Sequence, residues 1–359
     1  MSNLLQSFID VTGNPFAAIV EDGIQAGDVV SWIDTGSYAL NALLSGDIFK
    51  GAPSNKVTAL GAESSTGKSY IVLSVLKAWL EQRPTGIAFI FESESAYTKQ
   101  MLEERGIDIK RVAIMPVTTI QEFRTQSLKI LDNYEKTKVK DRVPLWFALD
   151  SLGNLSTTKE LEDTSAGVET KDMTRAQLIK ATFRVLTLRL GRADVPLWIT
   201  NHVYDDVGGG PYAQKVMSGG SGLIYAASTI VTLSKARDKD EKLGAGTNLR
   251  GVTITARATK SRLTRENSMV KLYLDFNKGL GRYFYLAELA EAGGVFKKVA
   301  TRLELPDGRK VFQSEINKNP EKYFTQEILE AINVYVNKTF PYGGGPEGED
   351  GAEEIENAD

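Results

Sequence analysis

Ala62-Glu63-Ser64-Ser65-Thr66-Gly67-Lys68-Ser69 follows the apolar stretch 57–60 and leads into residues 70–80, a run able to continue as a helix. Strand, small-residue loop and helix in that order read as a phosphate-binding loop. Successive backbone amides from Ser64 onward can curl around an anion while the helix N-terminus adds partial positive charge, so main chain would do most of the holding. Lys68 then reaches the terminal phosphates, and Ser69 joins the shell of a Mg²⁺ ion. The first position is Ala62, where the stricter pattern has glycine. A loop of this kind calls for a second apolar strand ending in an acid. Leu145-Trp146-Phe147-Ala148-Leu149-Asp150 supplies one, and Asp150 is expected to hold the Mg²⁺ shell. The two motifs together imply nucleotide binding.

Composition narrows the chemistry further. The 359 residues suffice for one large domain with an appendage, or for two domains. With no cysteine and a single histidine, disulfide frameworks, zinc clusters and thiol nucleophiles are excluded, so any metal must be bound by oxygen. The uncharged stretch 216–234 carries three glycines and four serines, too polar for a membrane span. No basic-then-apolar leader opens the chain, and a cytoplasmic setting without membrane contact is expected. The formal charge of −3 conceals an asymmetry: residues 347–359 hold seven acids and no base, so the rest of the chain is net basic. Preceded by Gly343-Gly344-Gly345-Pro346, that end reads as a disordered acidic tail, solubilising or competing with nucleic acid for the basic body.

Apolar runs at 57–60, 87–91, 112–115, 145–149, 197–200 and 229–234 alternate with helical patterns, which predicts an α/β fold with a mostly parallel central sheet. Thr119-Ile120-Gln121-Glu122 is a capping box opening a helix to about residue 136, and another helix spans about 172–192. Alternating patterns at 250–260 and 268–274 predict antiparallel additions at one sheet edge. Four regions result: an apolar arm over 1–35, a core over 36–282, a small C-terminal α+β unit over 283–341 with helices near 286–292 and 326–338, and the tail 342–359.

Further segments resemble the RecA family of DNA strand-exchange recombinases, and most of all its phage branch, the UvsX recombinases. The resemblance runs from about Ile33 to Lys338. Asp34-Thr35-Gly36-Ser37 with Leu40, Asn41 and Leu44 precedes the loop as in that family; Phe91-Glu92-Ser93-Glu94, Asp150-Ser151-Leu152-Gly153-Asn154-Leu155, Asp172-Met173-Thr174-Arg175-Ala176, Asn201-His202, Val216-Met217-Ser218-Gly219-Gly220 and Lys260-Ser261-Arg262 continue it in order. Proximity alone leaves Glu92 and Glu94 as rival carboxylates for the attacking water. The resemblance favours Glu94, which matches the family's catalytic glutamate, and makes His202 the sensor of the γ-phosphate. Lys260 and Arg262 lie two apart on a predicted strand and therefore on one face. The resemblance implies that they reach a neighbouring subunit's phosphates as an arginine finger does. It places Met101 where the family usually has a tyrosine against adenine.

Two loops are read as gripping DNA. The first, 156–171, leads into the helix bearing Arg175. The second, 203–222, is glycine-rich and offers Tyr212 for stacking, Lys215 for phosphate and Met217 as a wedge, although Asp205 and Asp206 would repel a phosphate backbone. The resemblance thus implies a RecA-like ATPase with ATP and Mg²⁺ as cofactors, a helical filament on single-stranded DNA, and pairing with homologous double-stranded DNA. A recombination mediator and a single-strand-binding protein are the expected helpers. A ring-forming hexameric helicase and a non-catalytic ATP-binding adaptor are the alternatives.

Overall fold

Strands buried on both faces are largely apolar, and the runs above are candidates of that kind. A computed structural model describes residues 2–24, 26–167, 174–204, 216–217, 220–235 and 251–342. The order begins with α1 (Ser2–Val11), β1 (Trp32–Ile33), α2 (Tyr38–Ser45) and β2 (Ala52–Pro53). It continues through β3 (Val57–Ala62), α3 (Lys68–Gln82), β4 (Ile87–Glu92), α4 (Lys99–Glu104), β5 (Val112–Pro116), α5 (Ile120–Lys136), β6 (Leu145–Asp150), α6 (Thr158–Ser165) and α7 (Arg175–Ala193). Then follow β7 (Leu197–Tyr204), β8 (Val216–Met217), α8 (Ser221–Ala226), β9 (Thr229–Lys235), β10 (Gly251–Ser261), β11 (Met269–Asp275) and β12 (Gly279–Leu280). The last described part holds α9 (Leu286–Ala292), β13 (Lys297–Val299), β14 (Arg302–Glu304), β15 (Lys310–Val311), α10 (Gln313–Lys318), α11 (Pro320–Tyr323) and α12 (Gln326–Thr339).

The central sheet runs β12-β11-β10-β9-β3-β7-β6-β4-β5. From β9 to β5 neighbours are parallel, and β10, β11 and β12 add antiparallel at one edge, as the sequence patterns predict. Because successive side chains alternate between faces, β6 sends Trp146 and Ala148 into one buried cluster and Leu145, Phe147 and Leu149 into the other. α3 covers the first face, where Trp79 tilts against Trp146 with ring centroids 5.5 Å apart. Trp146 stacks in turn on Trp198 of β7 at 5.8 Å. α5 and α7 cover the second with Phe123, Leu131, Phe183 and Leu186. Both ends of the capping box form on α5: Thr119 Oγ1 accepts from Glu122 N and the Glu122 carboxylate accepts from Thr119 N, each at 3.1 Å.

Strand order fixes where the chemistry sits. After β3 the chain crosses β7 and β6 to reach β4 and β5, then returns through β6 and β7 to the far side of β3 for β9. Connections leave the C-terminal ends of β3 and its neighbours in opposite directions, which opens the crevice where α/β sheets take ligands.

Several sequence expectations are corrected. The arm is shorter than residues 1–35, because β1 pairs antiparallel with β2 and Ile33 is fully buried. A two-residue strand is too short to leave a periodic signal. Within 2–24, Leu4, Leu5, Phe8 and Val11 are exposed. The first loop contains a helix, α6, opened by a capping box at Thr157 and Glu160. It buries none of its residues, so it has no apolar stripe to betray it. The second loop starts later than residue 203: Val203 and Tyr204 extend β7 and pair with Met217 and Val216. The strands of the α+β unit expected over 283–341 form an antiparallel sheet, β13-β14-β15, with Leu303 and Val311 turned inward. Phe296, Leu303, Phe324 and Ile332 join the same buried cluster as α2 and α3, so this small unit is continuous with the core of the main sheet. Tyr212, Lys215, Asp205, Asp206 and the tail from residue 343 lie outside the described residues. Among the described residues no helix is long and apolar enough to cross a membrane.

Candidate nucleotide site

The loop that leaves β3 bends through Ser65 (φ 57°) and Gly67 (φ 102°) before α3 begins at Lys68. Glycine is required at 67. Its backbone is left-handed, and a Cβ there would stand 2.7 Å from Leu274 Cδ2. Lys68 is buried, and its ammonium reaches back over the loop to the carbonyls of Ala62 and Glu63 at 3.1 and 3.0 Å. Burial lowers its pKa below the ordinary lysine value, opposed by the carboxylates of Glu94 and Asp150. The ammonium therefore occupies the concavity of the loop with two carboxylates in its field.

Those carboxylates come from neighbouring strand ends. Register sets Glu92 beside Asp150 and Ala62 beside His202, so four strands deliver their residues to one edge. The two glutamates separate by use. Glu92 is buried, and its Oε1 accepts from the amides of Glu94 and Ala96 at 2.8 and 2.9 Å, which shapes the turn after β4. Glu94 faces the site: its Oε1 accepts from Ser151 Oγ at 2.7 Å and lies 3.2 Å from His202 Nε2. Asp150 is buried and takes the hydroxyls of Thr200 on Oδ1 and Tyr97 on Oδ2. Burial, with Asp150 alongside, raises the Tyr97 pKa well above the ordinary phenol value.

Among the described residues no group of three or more histidine or acidic side chains could cage a metal. The oxygen donors at hand are the Ser69 hydroxyl and the Asp150 carboxylate. One carboxylate and one hydroxyl, completed by phosphate oxygens and water, match how Mg²⁺ is held beside a polyphosphate. The residues present therefore fit that ion. A cavity lies between α3 and the β11–β12 turn, lined in part by Tyr70, Ser74, Lys77, Arg105, Asp275 and Asn277 and by none of the loop residues 62–69. The Arg105 guanidinium lies 4.1 Å from the centroid of the Tyr70 ring. Met101, half-buried on α4, packs against the core and is not among the residues lining this cavity.

Of the cations assigned to a neighbour's phosphates, Lys260 lies near the end of β10 and Arg262 just beyond it. In the folded chain they are engaged at α8, where Lys260 Nζ donates to the carbonyls of Ile224 and Ala227 and Arg262 donates to the carbonyl of Tyr225 at 2.9 Å. Burial followed by the nearby Arg262 lowers the Lys260 pKa. Arg175 points inward: Nε donates to the carbonyl of Leu155 at 3.0 Å and Nη2 to those of Leu152 and Gly153 at 3.3 and 2.9 Å. It braces the turn after β6 instead of presenting a free guanidinium to DNA. Met217 is likewise tucked in, packing against the second buried cluster beside Gly61 of β3, where a Cβ would meet its Cε at 2.5 Å. Sequence reasoning missed Tyr97, Thr200 and Ser151. Thr200 and Ser151 stand at or next to strand ends already singled out, whereas Tyr97 has no motif to announce it.

A phosphate loop on the central strand, an acid ending the strand two places away, and a carboxylate–histidine pair over the loop define a P-loop nucleotide-binding protein of the α/β class. The chain belongs to the RecA family, since a model of the RecA N-terminal domain matches residues 12–281. It is similar to the recombination and repair protein of Enterobacteria phage T4, with 31% identity over 259 residues. That alignment covers 72% of this chain but 63% of the phage protein, so the chain matches less than two thirds of that relative's length. It is also similar to the RecA proteins of Mesomycoplasma hyopneumoniae strain J, 24% identical over 83% of this chain and 85% of theirs, and of Chlorobium limicola, 25% identical over 75% and 71%.

Proposed function

We propose that the protein is a Mg²⁺-ATP-dependent recombinase that assembles as a helical filament on single-stranded DNA and pairs that strand with homologous duplex. The observation that carries the reading is the division of labour between the two glutamates. Glu92 is consumed by backbone amides, while Glu94 is held by Ser151 and His202 over the phosphate loop. On this reading the loop amides and Lys68 bind the β- and γ-phosphates. Ser69 and Asp150 would hold Mg²⁺, which offsets phosphate charge when bound. Glu94 orients water against the γ-phosphorus and accepts its proton as the bond to the bridging oxygen breaks, leaving ADP and phosphate.

His202, hydrogen-bonded to Glu94 at the end of β7, stands where a change at the γ-phosphate passes to the segment after residue 204 that we read as DNA-binding. Lys260 and Arg262 are the residues we assign to supply further positive charge to the phosphates across a subunit interface. The exposed apolar arm at α1 is read as the contact that joins subunits. A mediator and a single-strand-binding protein are the expected partners on DNA.

Steady-state ATP turnover with and without single-stranded DNA tests the reading. Stimulation by DNA, abolished in Lys68→Ala, is the expected result; turnover indifferent to both would overturn it. Electron microscopy of the protein on single-stranded DNA with a non-hydrolysable ATP analogue separates a filament from the closed ring of a hexameric helicase.

A further inference from the structure

Tyr204 closes β7, and the chemistry proposed above gives it no part. Side chains alternate between the two faces of a strand. On β7, Leu197 and Ile199 enter the second buried cluster and Trp198 the first, so Thr200, His202 and Tyr204 continue the face of Trp198. Each has its own neighbour: Thr200 donates to Asp150, His202 meets Glu94, and the Tyr204 ring lies 6.5 Å from the imidazole, centroid to centroid, at 38°. One face of one strand thus runs from the acid assigned to the cation, past the carboxylate assigned to water, to a phenol ring at its end.

That ring is open to solvent. β7 pairs with β3 as far as Ala62 opposite His202, so Tyr204 stands two residues beyond the central sheet, opposite Val216 of β8, and is 57% exposed. Val203, pointing the other way, is buried. An aromatic ring whose backbone is already held by strand pairing can take a planar partner without first being ordered, and stacking of bases on aromatic rings is the sequence-tolerant way to hold an unpaired strand. A change in the contact between His202 and Glu94 reaches the ring through the imidazole beside it.

We propose that Tyr204 is a base-stacking residue for unpaired DNA, and that its hold on the base is set by the bound nucleotide through His202. The inference rests on reading the chain as a single-strand-binding ATPase. A phenol that instead bonded to a phosphate would act on the strand whether or not it carried bases.

The test is equilibrium binding of the full chain to a labelled oligothymidylate and to an abasic strand with the same number of phosphates, each with a non-hydrolysable ATP analogue and with ADP. Wild type is compared with Tyr204→Phe, which keeps the ring, and Tyr204→Leu, which keeps an apolar side chain without a π face. With the ATP analogue, Tyr204→Leu should weaken binding of the oligothymidylate by about 5- to 100-fold and Tyr204→Phe by less than about twofold. On the abasic strand the three proteins should agree within about twofold, because only phosphate contacts remain. The loss in Tyr204→Leu should differ at least about fivefold between the two nucleotides, the low end of ordinary coupling between sites. Tyr204→Trp gives a second readout that does not depend on the leucine variant folding: its added fluorescence should be quenched by the oligothymidylate and not by the abasic strand. Equal losses on both strands in a variant that melts like wild type, a loss as large in Tyr204→Phe as in Tyr204→Leu, a loss that ignores the nucleotide, or an unquenched Tyr204→Trp overturns the proposal. Wild type that binds neither strand would instead defeat the reading beneath it.

Discussion

The two halves of the candidate site are held in different ways. Around the phosphate loop, Glu94, Asp150 and His202 are held by side-chain bonds to Ser151, Tyr97 and Thr200, on or within a few residues of the ends of β4, β6 and β7, strands whose register leaves little freedom. At the opposite edge, Lys260 and Arg262 follow a β-bulge in β10 and rest on carbonyls of the six-residue helix α8. Bonds between paired side chains are specific to those partners, whereas a cation on neutral main-chain carbonyls can exchange them for an anion. The comparison teaches that the half which binds nucleotide is preorganised within one chain, and that the half proposed to complete it is parked on contacts that a phosphate could displace.

Breaking the parked half should give the largest effect. Arg262→Ala is expected to lower DNA-stimulated turnover by about 10³-fold while ADP binding to the isolated chain stays as in wild type, measured by steady-state kinetics and equilibrium titration. Equal losses in both would erase the distinction between the halves. Within the preorganised half, Glu94→Gln should reduce turnover on the order of 10²-fold or more and leave the melting temperature nearly unchanged. Glu92→Gln should do the reverse. Its carboxylate serves two amides, so about 1.5–3 kcal/mol of stability is at stake, read by urea unfolding, with turnover per folded molecule close to wild type.

Smaller effects sharpen the picture at the margins. Arg175→Ala should cost about 1–3 kcal/mol of stability, because three backbone carbonyls lose their donor. The slope of log DNA affinity against log salt should not move, whereas one lost phosphate contact would change it by about 0.7. A changed slope would return Arg175 to the DNA surface. Met217→Ala should cost about 1 kcal/mol or more through lost packing beside Gly61, and it would weaken the link between the phosphate-loop strand and the segment after β7. Unchanged thermal melting would show that the Met217 side chain contributes nothing there.

The comparison also separates what was readable in the chain from what was not. The eight residues of the phosphate loop, the apolar run into Asp150 and the Thr119 capping box are local signals, because each needs only neighbours within a few positions to exert its effect. The parallel strands and their antiparallel edge were legible for a similar reason: burial on two faces demands unbroken apolar runs, and burial on one demands alternation. The inward contacts of Arg175 and Met217 were not legible because composition tells what a side chain can bind, not which way it points. Helix α6 went unseen because it buries nothing, and β1 because two residues make no period.

By itself, then, the order of amino acids determined a nucleotide-binding α/β core and the strand ends that carry its acids, since backbone hydrogen bonding and apolar periodicity act over short range. The tertiary structure alone decided which glutamate faces the site, that Tyr97 donates to Asp150, and that two cations rest at α8. Those outcomes depend on strand register between segments about 20 to 140 residues apart in the chain, and long-range register is set by packing of the whole sheet.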